Sequence, residues 1–480
     1  MKKAITLTAA LLIFAQLVAC GESTLTPAET TTGDTEPVTT DVFDGIGDKK
    51  YDGREFNFLI RETEIDDYFI EAESGEVLDD AVYKRNRMVE ERFDIRINPI
   101  RIDAAWDSRS TYIGTMRNSV MSGSGEYDLI DGYAGVIGDG FADRLFLNLH
   151  DVPNLRLDEA WWSSIIEKEL TVNGKLYAMT GDLAVNMWSN LFALYFNKQT
   201  VEEFKRESPY ELVKSGKWTF SVLLEQIKDV ARDIDGDGKM TVDDKWGLLV
   251  YDTLWFDNLH NAFDIRISKK DSNGQVSLDF QNEKLSDAYE KIVALANDNP
   301  DAHFMNQSTP NIIQTGRELF TSGGAMYFGD TLDACTVMRS ADIEFGILPL
   351  PKYDEKQEGY HTASRDGRTM FVIPADVKDS EFAGRITEAL AVASHEYVIP
   401  AYYEVTLKTK TARDDDSSGM LDIIRSGFTL DFAAEYAMQT GQSGYMIRNA
   451  LSSGKSYASF LASNINAYEA GLEKFLKAYE

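Results

Sequence analysis

The sequence predicts an α/β protein of two lobes, and three observations carry that prediction. Apolar residues repeat with period two in some segments and with helical spacing in others, and the two patterns alternate along both halves of the chain. About 430 residues follow the N-terminal region, too many for one compact core and suited to two of ordinary size. A hydrophobic content of 43% with 11% aromatic residues is that of a globular body, and no second apolar run is long enough to span a bilayer.

At the N-terminus, Lys2 and Lys3 precede an uncharged, mostly apolar run that ends in Leu17-Val18-Ala19-Cys20. Its length, about fifteen residues, suits a secretory signal rather than a membrane span, which needs about twenty. Residues 1–19 are therefore expected to be a signal peptide. The Ala-Cys ending resembles a bacterial lipobox. That resemblance implies cleavage before Cys20 and a diacylglyceryl group on its thiol; two or more acyl chains, at about 0.8 kcal/mol per buried methylene, hold a protein on a membrane stably. Residues 20–48 are rich in Thr, with Asp, Glu and Gly and almost no large apolar residue before Val42 and Phe43. Such a segment cannot offset its ordering entropy and is expected to be a disordered linker.

Composition narrows the functional classes. A formal charge of −31 with no long basic run repels phosphate backbones, so nucleic acid is excluded as an expected partner and a neutral ligand fits better. With Cys20 lipidated, Cys335 is the only thiol left and the fold must rest on its core. The common catalytic signatures are absent from the sequence: there is no CxxC, HExxH or GxSxG, the histidines (His150, His260, His303, His361, His395) are scattered, and Gly454-Lys455-Ser456 has Asn449 where a phosphate loop needs glycine.

The elements follow in order. Phe56, Phe58 and Ile60 alternate as in a half-buried strand; Leu78, Val82, Val89 and Phe93 share one helix face; Ile95 and Ile97 return to period two. Tyr127 to Tyr133 is expected to be a strand running into a glycine-bearing turn, where α/β proteins place ligand groups. Beyond Asn173-Gly174, strands are expected at Lys175–Met179 and Leu191–Phe196, helices through Val222, Leu223, Ile227 and Val230 and through Leu285, Ala288, Ile292 and Leu295, and strands at Ala325–Phe328 and Phe345–Leu348.

Asp233 to Asp244 matches the twelve-position loop that wraps Ca²⁺. Asp233, Asp235 and Asp237 stand at positions one, three and five, Gly236 at six, the Lys239 carbonyl at seven, Thr241 at nine and Asp244 at twelve, where the standard loop has Glu. A helix ends near Val230 before it and a strand, Lys245–Val250, follows, so the ion is expected to staple the structure rather than switch it.

Several segments, in this order, carry a resemblance: Tyr127-Asp128-Leu129-Ile130, Asn173-Gly174-Lys175-Leu176-Tyr177, Leu194-Tyr195-Phe196-Asn197-Lys198, Lys217-Trp218-Thr219 and Phe345-Gly346-Ile347-Leu348-Pro349-Leu350-Pro351. With them the chain resembles the family-1 extracellular solute-binding proteins of ABC sugar importers, which include the maltose-binding proteins. The resemblance implies a type II periplasmic-binding-protein fold, its lobes joined by crossing strands at a hinge and closing on a saccharide. Carried over, lobe 1 is 49–183 plus 365–403 and lobe 2 is 184–364 plus 404–480. Crossings are implied at Gly181–Asn190, near Ser364–Phe371 and near Tyr402–Tyr403. A monomer without chemistry of its own, tethered outside the cytoplasm and delivering sugar to permease subunits, is the implied function.

A pyranose presents C–H faces that stack on aromatic rings, and hydroxyls that need donors and acceptors in a desolvated cleft. The resemblance turns Asp182, Trp188 and Asn190 toward that cleft. Trp255, Asp330, Arg365, Tyr402, Tyr403 and Glu404 supply further suitable groups, and Tyr133 follows a strand and glycine. Trp161-Trp162 is read as packing. Two rivals stay open: a secreted glycoside hydrolase, needing a carboxylate pair at about 5–5.5 or 6.5–9.5 Å, and a binding protein of the same fold for peptides or other small solutes.

Overall fold

The computed structural model describes residues 41–411 and 414–480, so the signal and lipidation expectations at 1–19 and Cys20, and the expected linker over 20–40, lie outside the described residues; residues 41–48 depart from the expected disorder, because Phe43 and Ile46 are buried in the core, Phe43 5.7 Å from Phe93. The first sheet holds β1 (Arg54–Arg61), β2 (Ile95–Ile102) and β3 (Leu129–Tyr133); the second holds β4 (Phe192–Asn197), β5 (Trp246–Tyr251), β6 (Ala302–Met305), β7 (Ala325–Thr331) and β8 (Phe345–Leu348); β9 (Thr369–Val372) then returns to the first. Strand order is β9-β3-β1-β2 in one sheet and β8-β4-β7-β5-β6 in the other. The first is parallel except for β9, and β4 runs antiparallel to both β7 and β8. This is the two-lobed α/β architecture expected of the chain.

Nine of the helices matter here: α1 (Val77–Phe93), α2 (Val185–Ser189), α3 (Phe220–Ile227), α4 (Asp252–Ala262), α5 (Glu283–Asp298), α6 (Ser380–Ala393), α7 (Asp415–Ser426), α8 (Met446–Ser453) and α9 (Tyr457–Leu476). Helix α1 buries Val82, Val89 and Phe93, the face its spacing predicts. Helix α5 does the same with Leu285, Ala288, Ile292 and Leu295. In the first lobe Phe58 meets Tyr68 and Phe371 at ring-centroid distances of 5.1 and 6.2 Å. In the second, Trp218 and Tyr327 lie 5.7 Å apart within a fully buried core.

Two expected elements differ. Lys175–Met179 forms no ladder: Val172 and Lys175 close a turn over Asn173-Gly174, and Met179 makes a single bridge to Phe371 at the edge of β9. Helix α3 stops at Ile227 rather than near Val230, because Asp229 takes a left-handed conformation (φ 60°) and the Asp301 carboxylate captures the main-chain N–H groups of Asp229 and Ala231 at 2.9 and 2.8 Å.

Three passages link the sheets. The first, from Gly181 through α2 to β4, and the second, from Ala363 to β9, run side by side, joined by the Leu191–Ser364 bridge and by the Arg365 N–H donating to the Asn190 carbonyl at 2.9 Å. The third continues α6 through wide i→i+5 turns at Ser394–Val398 and Ala401–Thr411, so it crosses as a helix rather than a strand. Helix α9 begins against the second lobe, where the Tyr457 hydroxyl donates to the Phe280 carbonyl at 2.6 Å. Its far end reaches the first: Phe475 stacks on Phe141 at 5.9 Å and Tyr177 donates to the Ala478 carbonyl at 2.9 Å.

Candidate functional site

Strands β1, β3 and β9 end together beside the crossings, and a buried polar network ties them. Asp131 accepts from the Arg61 Nε at 3.0 Å, the Arg61 main-chain N–H at 3.1 Å and the Thr369 hydroxyl at 2.7 Å. Asn186, on α2, donates to Glu64 at 2.6 Å and accepts from the Thr369 N–H at 2.9 Å. Gly132 is required where β3 passes β9, since a Cβ there would stand 2.2 Å from the Met370 carbonyl oxygen. Next to this network, burial and the charges of Glu64 and Asp131 push the Asp67 carboxyl up to about 8.

A cleft of about 80 Å³ opens along the second crossing. Gly135 comes from the first lobe, Ser364, Arg365, Asp366 and Arg368 from the crossing, and Asp257, Glu435, Tyr445 and Arg448 from the helices of the second lobe. Arg448 pairs with Asp257 at 3.0 Å and lies 3.6 Å from the Tyr445 ring centre, which presents the tyrosine as a fixed aromatic face. Tyr133, half-buried at the end of β3, is pushed up to about 12 by burial and by the nearby Asp366 charge. Ser364, Arg368 and Glu435 are 6, 2 and 7% exposed. Arg368 and Glu435 form an ion pair, yet Arg368 Nε, Glu435 Oε1 and Ser364 Oγ have no hydrogen-bond partner in the protein. These side chains give the wall of the cleft both donors and acceptors.

Of the sequence-predicted residues, the structure brings Arg365 to this cleft and Tyr133 to its edge, with Asn190 at its rim through the main-chain bond to Arg365. Asp182 and Trp188 stand together elsewhere: the indole N–H donates to Asp182 Oδ1 at 2.9 Å, in a separate groove with Trp161, His395 and Arg425. Trp255 is placed in the second core, 1% exposed, instead of in the cleft. Asp330 is taken up by Arg317, at 2.7 Å, and by Tyr251, at 3.3 Å. Tyr402 and Tyr403 are buried in the third crossing, the Tyr403 ring lying between Lys408 and Arg425. Glu404 is exposed and pairs with Lys408 one turn on, at 3.3 Å. Sequence reasoning missed Tyr445, Arg448, Arg368 and Glu435. The charged run Arg365-Asp366-Gly367-Arg368 was a local signal, but the return of the C-terminal helices over the cleft is a tertiary event.

In the calcium-type loop the carboxylate oxygens of Asp233, Asp235 and Asp237 lie within 4.8 Å of one another, around Gly236 at φ 74°. These donors fit a hard cation. Asp244 turns inward and accepts from the Ile234 and Thr241 N–H groups at 2.9 and 2.6 Å and from the Thr241 hydroxyl at 3.1 Å. An Arg232–Lys245 bridge closes the base of the loop, which leads into the start of β5. Helix α4, which carries Asp257 to the cleft, follows the other end of that six-residue strand, which is about 20 Å long at 3.3 Å per residue.

No family model matches the chain, and no curated protein matches it by sequence. Solved structures do resemble it. A cyclo/maltodextrin-binding protein complexed with maltotetraose has a TM-score of 0.56 at 15% identity, covering 88% of this chain and 98% of that one. The maltose/maltodextrin-binding domain MalE from Bdellovibrio bacteriovorus, bound to maltotriose, gives 0.52 at 15% identity over 88% and 100%. The GacH receptor of Streptomyces glaucescens, solved unliganded and with acarbose, gives 0.55 at 13% identity over 89% and 100%. At these identities the likeness is one of fold, and these neighbours are binding proteins rather than enzymes. Among the described residues no helix is long and apolar enough to cross a membrane.

Proposed function

We propose that the protein is an extracytoplasmic solute-binding protein that captures a carbohydrate, an oligosaccharide by preference, and delivers it to the permease subunits of an ABC importer. The observation that carries this reading is a cleft lined from both lobes, in which the Tyr445 ring, backed by Arg448, stands with Ser364, Arg365 and Asp366. A sugar hydroxyl donates to a carboxylate and accepts from a guanidinium at once, and its ring stacks on the tyrosine. Arg365 lines the wall, its N–H held by the Asn190 carbonyl, and we place Tyr133 and Asn190 next to the bound sugar. Lobe 1 is assigned to 49–183 plus 365–403 and lobe 2 to 184–364 plus 404–480, and closure moves one against the other about the three crossings. The protein works as a monomer without catalysis, tethered through lipidated Cys20.

A structural Ca²⁺ is part of this reading, held by Asp233, Asp235 and Asp237 with the Lys239 carbonyl, Thr241 and Asp244 as further oxygen donors.

A thermal-shift screen of mono- and oligosaccharides tests the function, because a ligand that binds only the folded state raises its apparent stability. The expected result is a rise with one sugar class, reduced in Tyr445→Ala, with the sugar recovered uncut. Cleavage of the sugar would favour the hydrolase, and a rise with peptides alone would favour the other solute class.

A further inference from the structure

Trp161, Asp182, Trp188, His395, Arg425 and Phe428 line a groove of about 220 Å³ that shares no lining residue with the cleft described above. It draws on the first lobe, the first crossing and helix α7 of the second. Two indoles form its walls, and each is pinned. Trp161 donates to Glu388 at 2.9 Å with the Arg156 guanidinium 4.8 Å from its ring centre. Trp188 donates to Asp182 at 2.9 Å with Arg425 4.6 Å from its ring. The next ring neighbours are His395, 6.3 Å from Trp161, and Phe428, 6.5 Å from Trp188. Asp182 joins the elements: it accepts from Trp188, sits 2.6 Å from His395 Nδ1 and 3.9 Å from Arg425. Trp161 and Trp188 are only half-buried and His395 is 35% exposed on its side chain, so solvent reaches the groove.

Two half-buried, fixed indoles beside an imidazole and a guanidinium, both oriented by buried Asp182, are groups that a pyranose can use, C–H groups against rings and hydroxyls against polar edges. Their rigidity lowers the ordering cost of binding. We infer that this groove is a second carbohydrate site, for a single pyranose unit, distinct from the cleft between the crossing and Tyr445. The choice of sugars as probes rests on the proposed function; the site itself rests on its own residues.

The test uses the full chain labelled with ¹⁵N at its seven tryptophans, with the indole signals of Trp161 and Trp188 identified by substitution. Methyl glycosides of glucose, galactose, mannose, xylose and N-acetylglucosamine are titrated into the wild type, Tyr445→Ala and Trp161→Ala. Saturable movement of both signals, with the same affinity in Tyr445→Ala as in the wild type and weakened about tenfold at Trp188 in Trp161→Ala, is the expected result. Should Trp161→Ala fail to fold, Trp161→Phe keeps the packing while shrinking the platform and must weaken binding in the same direction. The inference is overturned if neither signal moves with any glycoside, if the affinity read at the indoles falls in Tyr445→Ala by the factor that calorimetry gives for the cleft and so reports closure alone, or if the Trp161 variants bind as the wild type does. A panel that raises the melting temperature but moves neither indole would remove the second site and leave the cleft reading standing.

Discussion

Replacing Asp131 with Ala should cost more stability than any surface change in the molecule. Its carboxylate is 0% exposed and holds three donors, two from Arg61 on β1 and one from Thr369 on β9. The substitution leaves the Arg61 guanidinium, itself 3% exposed, with only the Gly367 carbonyl and the Thr369 hydroxyl as acceptors. Removing one member of a buried pair costs about 3–5 kcal/mol, because the other charge stays buried without compensation. At about 2–4 °C per kcal/mol for a lobe-sized unit, the melting temperature should fall by about 6–20 °C. Calorimetry reads the shift, and urea unfolding checks the free energy independently. The double variant Arg61→Met with Asp131→Leu should recover most of the loss, since a well-packed apolar pair of similar volume is often neutral. A loss below about 1 kcal/mol in the single variant, or a double variant no better than the single, would refute the account of this network as a paired, desolvated unit.

Asp67 should contribute a stability that falls as pH rises from about 4 to about 8, opposed up to about 6.5 by His260, which burial lowers to about 4. The folded chain holds a proton on Asp67, pushed up to about 8, that the unfolded chain releases near its ordinary value of 3.8, so Asp67→Asn should flatten this slope in melting curves taken across that range. His395 acts in the same direction: its hydrogen bond to Asp182 raises it above 6.5, so its stabilisation is present below that pH and is lost as pH climbs through the raised value, and His395→Gln should remove that part of the decline. Tyr445→Ala should weaken the sugar found by the screen about 2–10-fold through lost stacking of about 0.5–1.5 kcal/mol, measured by titration calorimetry; unchanged affinity would take the tyrosine out of the site. Asp235→Ala with Asp237→Ala should abolish a chelator-sensitive gain in melting temperature while leaving sugar affinity nearly unchanged, the loop lying at the far end of β5 from the cleft; a melting temperature indifferent to both chelator and mutation would make it a polar turn.

Legibility in the sequence followed the range of the interaction. The face of α1 is written in Leu78, Val82, Val89 and Phe93, and the strands around Phe56, Leu194 and Phe345 in local period and composition, so these were readable. The end of α3 was not, because it depends on the Asp301 carboxylate about seventy residues away. Aromatic and acidic residue types named candidates for the cleft but could not separate Trp255, which is core, from Tyr445, which lines the cleft; both are aromatic residues on or beside helices. Asp182 and Trp188 were read together and do stand together. Their shared groove depends on His395 and Arg425, whose approach follows from the third crossing and cannot be seen in their spacing.

Helix α9 sets an order of events during synthesis. The first lobe gathers Phe141 and Tyr177 into one aromatic cluster with Phe475 and Tyr479, and the bond between Tyr177 and Ala478 closes a loop of 301 residues. At about 5–20 residues per second, a ribosome needs about 15–60 s to make the intervening chain. Throughout that interval the earlier-made aromatic rings have no permanent cover. A chain arranged this way cannot complete its lobes one after the other, and whatever keeps it from aggregating must act until the last turn of α9 has emerged.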